Sequence, residues 1–286
     1  MRKTLIILFF SLFVNIFIVA QNPFLTKKNV MTQFDVSPQG RMICCSWWGA
    51  DGISKIRIKD LTSQKIVDVD SINLRKGGRP FTGVCFLSDN QVLFVKAKEL
   101  YSYNLQKRKC TKLFDIPEEI TQLATTKNKK GIYLMSEDWV YYADIVKGIS
   151  SKKPIHCYIV WGITVTPRNE AIYTLNIKEK ENQIWNWNEN GELTNLTDLF
   201  SKEIKAPYLV EATSETNLYI VAGKEGVFRF HKTGNITKWV DHQPKDPIVA
   251  VKVSDNHRIL YYQTYYQKGE IKTIDINGKR GEPITF

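Results

Sequence analysis

Histidine and cysteine, which most often carry metal or nucleophilic chemistry, are scarce here: four and five in 286 residues. His156, His231, His242 and His257 are scattered, and no two have metal-ligand spacing. Cys44, Cys45, Cys85, Cys110 and Cys157 form no C-x-x-C pair and no Cys/His cluster, so zinc signatures are excluded. An odd cysteine count leaves at least one thiol unpaired within the chain. Four of the five stand in apolar strand contexts, where a thiol serves as a small hydrophobe. No G-x-S-x-G or comparable nucleophile motif occurs. Acidic residues are outnumbered by basic ones, 29 to 40. The lysines are spread along the chain, however, and no recognisable nucleic-acid module accompanies them, which argues against nucleic-acid binding. Helical periodicity is nearly absent, with Glu118–Ala124 the one helix-like stretch. Long apolar runs are absent beyond the first twenty residues, so no integral membrane span is expected once those are removed.

Those twenty residues stand apart. Arg2 and Lys3 precede LIILFFSLFVNIFIVA, followed by Gln21, Asn22 and Pro23. A basic start, a short apolar core and a small final residue read as a secretory signal peptide, with Ala20 the last residue removed. An uncleaved anchor is the alternative. Removal lowers the formal net charge of +11 by two. The expected organisation is a signal peptide at 1–20, a short lead at 21–29, and one domain at 30–286. The mature chain is expected in the periplasm, at the cell surface or secreted.

What remains is rich in core-forming residues, 43% apolar and 12% aromatic, which is a globular composition. The stretch Gln33–Leu61, QFDVSPQGRMICCSWWGADGISKIRIKDL, holds a short strand, a polar turn, an apolar strand, a loop and an alternating strand. KIVDVDSI supplies a fourth. Looser copies follow from Phe81, Ile120, Tyr158, Tyr208 and Ile248. The polar turn recurs near Ser37, Ser88, Lys127, Pro167, Ser214 and Ser254, at intervals of about 40–50 residues, the period of a β-propeller with four strands per blade. Each second strand (MICCSWW, VLFV, IYLM, AIYTL, LYIV, ILYY) is apolar on both faces, as expected of a strand covered on both sides. The predicted fold is all-β, a six-bladed propeller of four-stranded antiparallel blades. Ring closure is expected to rest on packing between first and last blades.

SPQGRMICCSWWGADGISKIRIKDL resembles the WD40-like repeat of TolB-type propellers, as do SKIRIKDL and QIWNWNENGELTNLT for the third-strand part. Gln39 stands where Asp is usual, and the turn of the second copy is Ser-Asp-Asn, without Pro or Gly. The resemblance implies a fold rather than an activity. The signal peptide ending Ala-Gln and the Lys/Asn/Ile richness resemble exported proteins of Bacteroidota.

Site residues are expected on the loops of one face, where binding concentrates on rigid scaffolds. The connections from second to third strand and from fourth strand to the next blade share that face. They carry Trp48 and Asp51, the basic loop with Arg75, Lys76 and Arg79, then Trp139, His242 and Tyr265. Trp and Tyr can stack on sugars or anchor a protein partner. The implied function is a non-enzymatic binding module for a protein or acidic glycan, monomeric, with no cofactor, metal or catalytic residue assigned. The alternative is a propeller lyase or hydrolase acting on a polymer, with residues from several blades meeting at the channel mouth. Trp185 and Trp187, two apart in a third strand, are expected in the core.

Overall fold

The chain folds as a six-bladed β-propeller, seen in a computed structural model that describes residues 29–155, 159–176, 182–188, 190–241, 246–254, 256, 258–265 and 269–286. The proposed signal peptide lies outside those residues. Each blade is a four-stranded antiparallel meander of consecutive strands. Blade one comprises β1 (Val30–Val36), β2 (Met42–Trp48), β3 (Ile53–Asp60) and β4 (Ile66–Asn73). Blade two follows with β5 (Val84–Ser88), β6 (Gln91–Lys96), β7 (Glu99–Asn104) and β8 (Lys109–Asp115). Blade three holds β9 (Gln122–Thr125), β10 (Gly131–Met135), β11 (Trp139–Asp144) and β12 (Gly148–Pro154). Blade four is β13 (Ile159–Val165), β14 (Ala171–Asn176), β15 (Asn182–Trp187) and β16 (Leu193–Asn195). Blade five is β17 (Leu209–Ala212), β18 (Leu218–Gly223), β19 (Gly226–His231) and β20 (Ile236–Asp241). Blade six closes the ring with β21 (Ile248–Val253), β22 (Ile259–Thr264), β23 (Glu270–Asp275) and β24 (Ile284–Thr285).

The innermost strands β1, β5, β9, β13, β17 and β21 neighbour one another in that order around the central channel. The second strands are buried almost end to end, because each is sandwiched between two blades. The outermost strands β4, β8, β12 and β16 are largely exposed. That exposure explains why β12, sequence GISSKKP, carries so little hydrophobic signal.

Glu118–Ala124 is not helical. Its end forms inner strand β9, with Ile120 and Leu123 buried between blades two and three. Among the described residues the one α-helix is α1 (Thr197–Ser201), between blades four and five, whose Phe200 is fully buried against Phe230 and Ile204.

The polar turns between first and second strands are held by a buried hydroxyl. Ser37 Oγ accepts from the backbone N–H of Arg41 and Met42, and Ser254 Oγ from that of Ile259. Thr126 Oγ1 accepts from Gly131 N–H, Thr166 Oγ1 from Glu170 N–H, and Thr213 Oγ1 donates to Leu218 C=O. Blade two replaces this device with a tight turn at Asp89-Asn90.

Among the described residues no strand is shared between the termini, and closure there rests on contacts across the seam between blades one and six. Met31, Phe34, Ile43, Cys45 and Trp47 pack with Tyr261 and Ile271. The Phe286 ring lies 6.4 Å from that of Trp47. Lys59 Nζ donates to the Thr285 carbonyl at 2.8 Å, and Gln263 Nε2 to the Met31 carbonyl at 3.4 Å. Cys44, Cys45 and Cys85 are buried free thiols and Cys110 is an exposed one; Cys157 lies outside the described residues.

Candidate functional site

A cavity of about 850 Å³ opens at one mouth of the channel, on the face that carries the second-to-third-strand connections. Blades one, four, five and six build it, and four aromatic side chains wall it: Trp48, Trp161, Tyr208 and Tyr265.

Three β-bulges place its lining. In β1, Met31 pairs with Trp47 and Gln33 with Ser46, which leaves Thr32 as the extra residue. In β13, Val160 pairs with Leu175 and Gly162 with Thr174, leaving Trp161. In β21, Ile248 pairs with Thr264 and Ala250 with Gln263, leaving Val249. All three extra residues line the cavity. A bulge adds one residue to one strand, bends it and re-aims its side chains, a device common beside binding sites. Blades three and five have no such break between their first two strands.

The aromatic walls are fixed by their own partners. Trp47 and Trp48 point to opposite faces of β2, so Trp47 is buried at the seam while Trp48 reaches the cavity. Trp48 Nε1 donates to the Phe81 carbonyl at 3.0 Å, tying it to the entry of blade two. Trp161 Nε1 donates to Asn182 Oδ1 at 3.0 Å, and its ring lies 5.5 Å from that of Tyr208 at 57°. Tyr265 follows β22 and is 48% exposed at the rim. The Tyr208 hydroxyl is sealed from solvent and faces the Ile248 backbone N–H. Burial pushes its pKa up to about 12, opposed by the Ile248 backbone N–H. Among the described lining residues there is no carboxylate and no histidine; Lys224 is the one charged side chain.

Deeper in the channel, glutamines bind neighbouring backbones. Gln33 donates through Nε2 to the Leu123 carbonyl and accepts through Oε1 from Val84 N–H, each at 3.1 Å. Gln122 donates to the Trp161 carbonyl at 3.3 Å. Toward the opposite face, Lys252 Nζ of blade six sits 2.9 and 3.1 Å from the carboxylate oxygens of Glu211 and 3.9 Å from Asp35 Oδ1. Asp35 Oδ2 accepts from Phe86 N–H at 2.8 Å. Burial raises both carboxyls above their ordinary values, with Lys252 the chief opposing influence. Burial works against the lysine's charge too, but Glu211 and Asp35 outweigh it and hold the ammonium above its ordinary pKa. This cluster joins blades one, five and six. Among the described residues no group of three His, Cys, Asp or Glu side chains is placed to hold a metal ion.

Of the residues singled out in the sequence, Trp48 and Tyr265 line the cavity. Asp51 is exposed on the same face, where its Oδ1 accepts from Ile53 N–H at 2.9 Å and shapes the β2–β3 turn. Arg75 and Lys76 end the 3₁₀ turn Leu74–Lys76 and are exposed outside the cavity, with the Arg75 side chain lying over Gly52. Arg79 forms an ion pair with Glu119 of the connection between blades two and three. Trp139 begins β11, packs against the core between blades two and three, and carries the Lys152 ammonium 4.0 Å above its ring. It does not line the cavity. His242 lies outside the described residues. Trp187 is buried and Trp185 packs against the same core. Trp161, Tyr208, Lys224, Asn182 and Gln263 complete the site and were not singled out. They lie in three different blades, so no local motif joins them.

Comparison with known proteins finds no family model and no curated protein that matches this chain. Among the described residues no helix is long and apolar enough to cross a membrane.

Proposed function

We propose that this chain is an exported, non-enzymatic binding propeller of the TolB-type, WD40-like kind, and that its ligand site is the aromatic cavity at the channel mouth. The observation that carries this reading is the cavity itself: about 850 Å³, walled by Trp48, Trp161, Tyr208 and Tyr265. Its size suits a bound group or side chain, and aromatic anchors in such pockets dominate interface energies. The described lining lacks the carboxylate or histidine that general acid–base chemistry on a polymer requires. A sugar ring needs several directional polar partners, and the lining offers few. An apolar group presented by a protein partner therefore suits it better than a glycan. Export rests on the sequence of residues 1–20.

Selection of displayed peptides on the wild-type protein and on Trp161→Ala tests this reading. The expected result is a family of binders that lose at least tenfold in affinity on the variant, since truncating a hot-spot aromatic typically costs 2 kcal/mol or more. Binders indifferent to Trp161→Ala and to Trp48→Ala alike would place recognition elsewhere.

A further inference from the structure

The two faces of the propeller differ in charge. The connections from first to second strand and from third to fourth lie on the face opposite the cavity. In sequence those connections hold thirteen Lys and Arg against seven Asp and Glu, whereas the connections of the cavity face hold eleven of each. The excess is densest in blades two, three and six, at Lys107 and Arg108, Lys129 and Lys130, and Lys279 and Arg280. All six are exposed, and none forms an ion pair with a described residue. Asp60, Asp144 and Asp275, which end third strands beside these turns, are turned in upon them. Each carboxylate accepts two backbone N–H groups of its own turn. Counting those three as well, the face keeps its basic excess.

The same side of the disc carries the exposed apolar side chains. Among the described residues, the large hydrophobic side chains left exposed are Ile66, Val67, Val146, Leu193 and Ile276, with Tyr265 at the cavity rim. Val146 lies in the third-to-fourth-strand turn of blade three beside Lys147, and Ile276 in that of blade six, three residues before Lys279. Val146 is 89% exposed, so packing within the fold does not account for it. Ile66 and Leu193 open β4 and β16, just beyond the same turns of blades one and four. In a ring of six consecutive blades, three and six are opposite one another, and so are one and four. The apolar points therefore stand at opposite edges and define a plane. The described hollow on this face, between Lys65, Tyr103 and Arg108, holds about 190 Å³, far less than the cavity.

Independently of what the cavity binds, we propose that this face docks peripherally on an anionic lipid bilayer, with the channel axis along the membrane normal and the cavity mouth turned away from the lipid. A broad positive plane complements a surface that is itself broad, flat and diffusely negative. Each Lys or Arg held near such a surface adds about fivefold in affinity. Apolar tips set among basic side chains enter the boundary between headgroups and acyl chains. A soluble polyanion would use the charge but leave Val146 and Ile276 in water.

The test is sedimentation of the chain from Gln21, which keeps every described residue, with vesicles of phosphatidylcholine alone or with 30% phosphatidylglycerol. Binding to the anionic vesicles is expected to be at least tenfold tighter at 0.1 M salt and to fall steeply at 0.5 M. Lys129→Asn/Lys130→Ser/Lys147→Ser is expected to weaken it at least tenfold. Val146→Ser/Ile276→Ser is expected to weaken it at least threefold and to leave its salt dependence unchanged. Arg75→Ser/Lys76→Ser/Lys205→Ser, on the cavity face, is expected to change it by less than twofold. All these positions are exposed, and Asn tolerates the left-handed backbone of Lys129; melting temperatures check that each variant folds. Equal loss from the two basic triples would overturn the proposal, as would equal affinity for the two vesicles or indifference to Val146→Ser/Ile276→Ser. Absence of binding to either vesicle would overturn it too. In that case, retention on polygalacturonate or duplex DNA that is lost with the blade-three triple would assign the face to a soluble polyanion.

Discussion

Lys252 sits between carboxylates from two other blades, and its replacement separates the electrostatics of the channel from its packing. Removing one partner of a buried charged group typically costs about 3–5 kcal/mol, because the remaining charges are left uncompensated. Lys252→Met is expected to cost somewhat less than that near pH 8, because Lys252, Asp35 and Glu211 keep 18%, 19% and 13% of their side-chain surface exposed. Asp35 and Glu211 both have carboxyls raised by burial. A raised carboxyl binds its proton more readily in the folded state than in the unfolded one, so stability falls as pH rises from the ordinary carboxylate range through the raised value. Without Lys252 that rise is larger, and the variant is expected to be more stable at pH 5 than at pH 8. In the wild type, the raised Lys252 ammonium contributes stability that is fully present below the ordinary lysine pKa of about 10.4 and is lost above it. Urea unfolding across pH 5–8 checks the carboxyl slope and across pH 10–12 the lysine one; a Lys252→Met protein most stable at pH 8 would contradict the assignment. The same scale limits what the basic loop can do. Because Arg79 is paired with Glu119 and none of Arg75, Lys76 and Arg79 lines the cavity, Arg75→Ala/Arg79→Ala is expected to change stability by about 0.5 kcal/mol or less. It should weaken capture of an acidic partner only at low salt, where exposed charges are least screened. Equal weakening at 0.05 and 0.5 M salt would count against that role.

At the scale of strands, the second strand of every blade could be read directly, because burial on both faces leaves an unbroken apolar run. Outer strands were harder: β12 faces solvent along most of its length and carries serines and lysines that could equally be a loop. The bulges were invisible. Thr32, Trp161 and Val249 are the extra residues only relative to their partner strands, and register is a property of two strands, not one. That is why Trp48 and Tyr265 could be placed on a binding face from loop topology alone, while Trp161 and Tyr208 could not. The seam is likewise a matter of strand pairs. β24 spans only Ile284–Thr285, and Phe286 beyond it packs near Trp47. Phe286→Ala is expected to lower stability by about 1–2 kcal/mol from lost apolar burial and ring contact. It should also raise hydrogen exchange in β1 and β23 ahead of β9 and β10, because local opening begins where contacts are fewest. Uniform exchange around the ring would argue that closure is not confined to this seam.

For the whole molecule, six consecutive meanders close into a ring, with no strand exchanged between the termini among the described residues, and blades one, four, five and six meet at one mouth of the channel. The exported form is expected to begin near Gln21, as the charge and ending of the first twenty residues imply; an intact mass that still includes Met1–Ala20 would mean an anchor. The central claim is that the molecule works through its aromatic cavity, and the indole N–H signals of its seven tryptophans report on that claim residue by residue. In a titration with a peptide selected on the wild-type protein, the Nε1–H resonances of Trp48 and Trp161 are expected to shift together in proportion to occupancy, while those of the buried Trp187 and Trp239 stay in place. Shifts confined to Trp139 or Trp185, or a bound peptide that moves neither Trp48 nor Trp161, would contradict it.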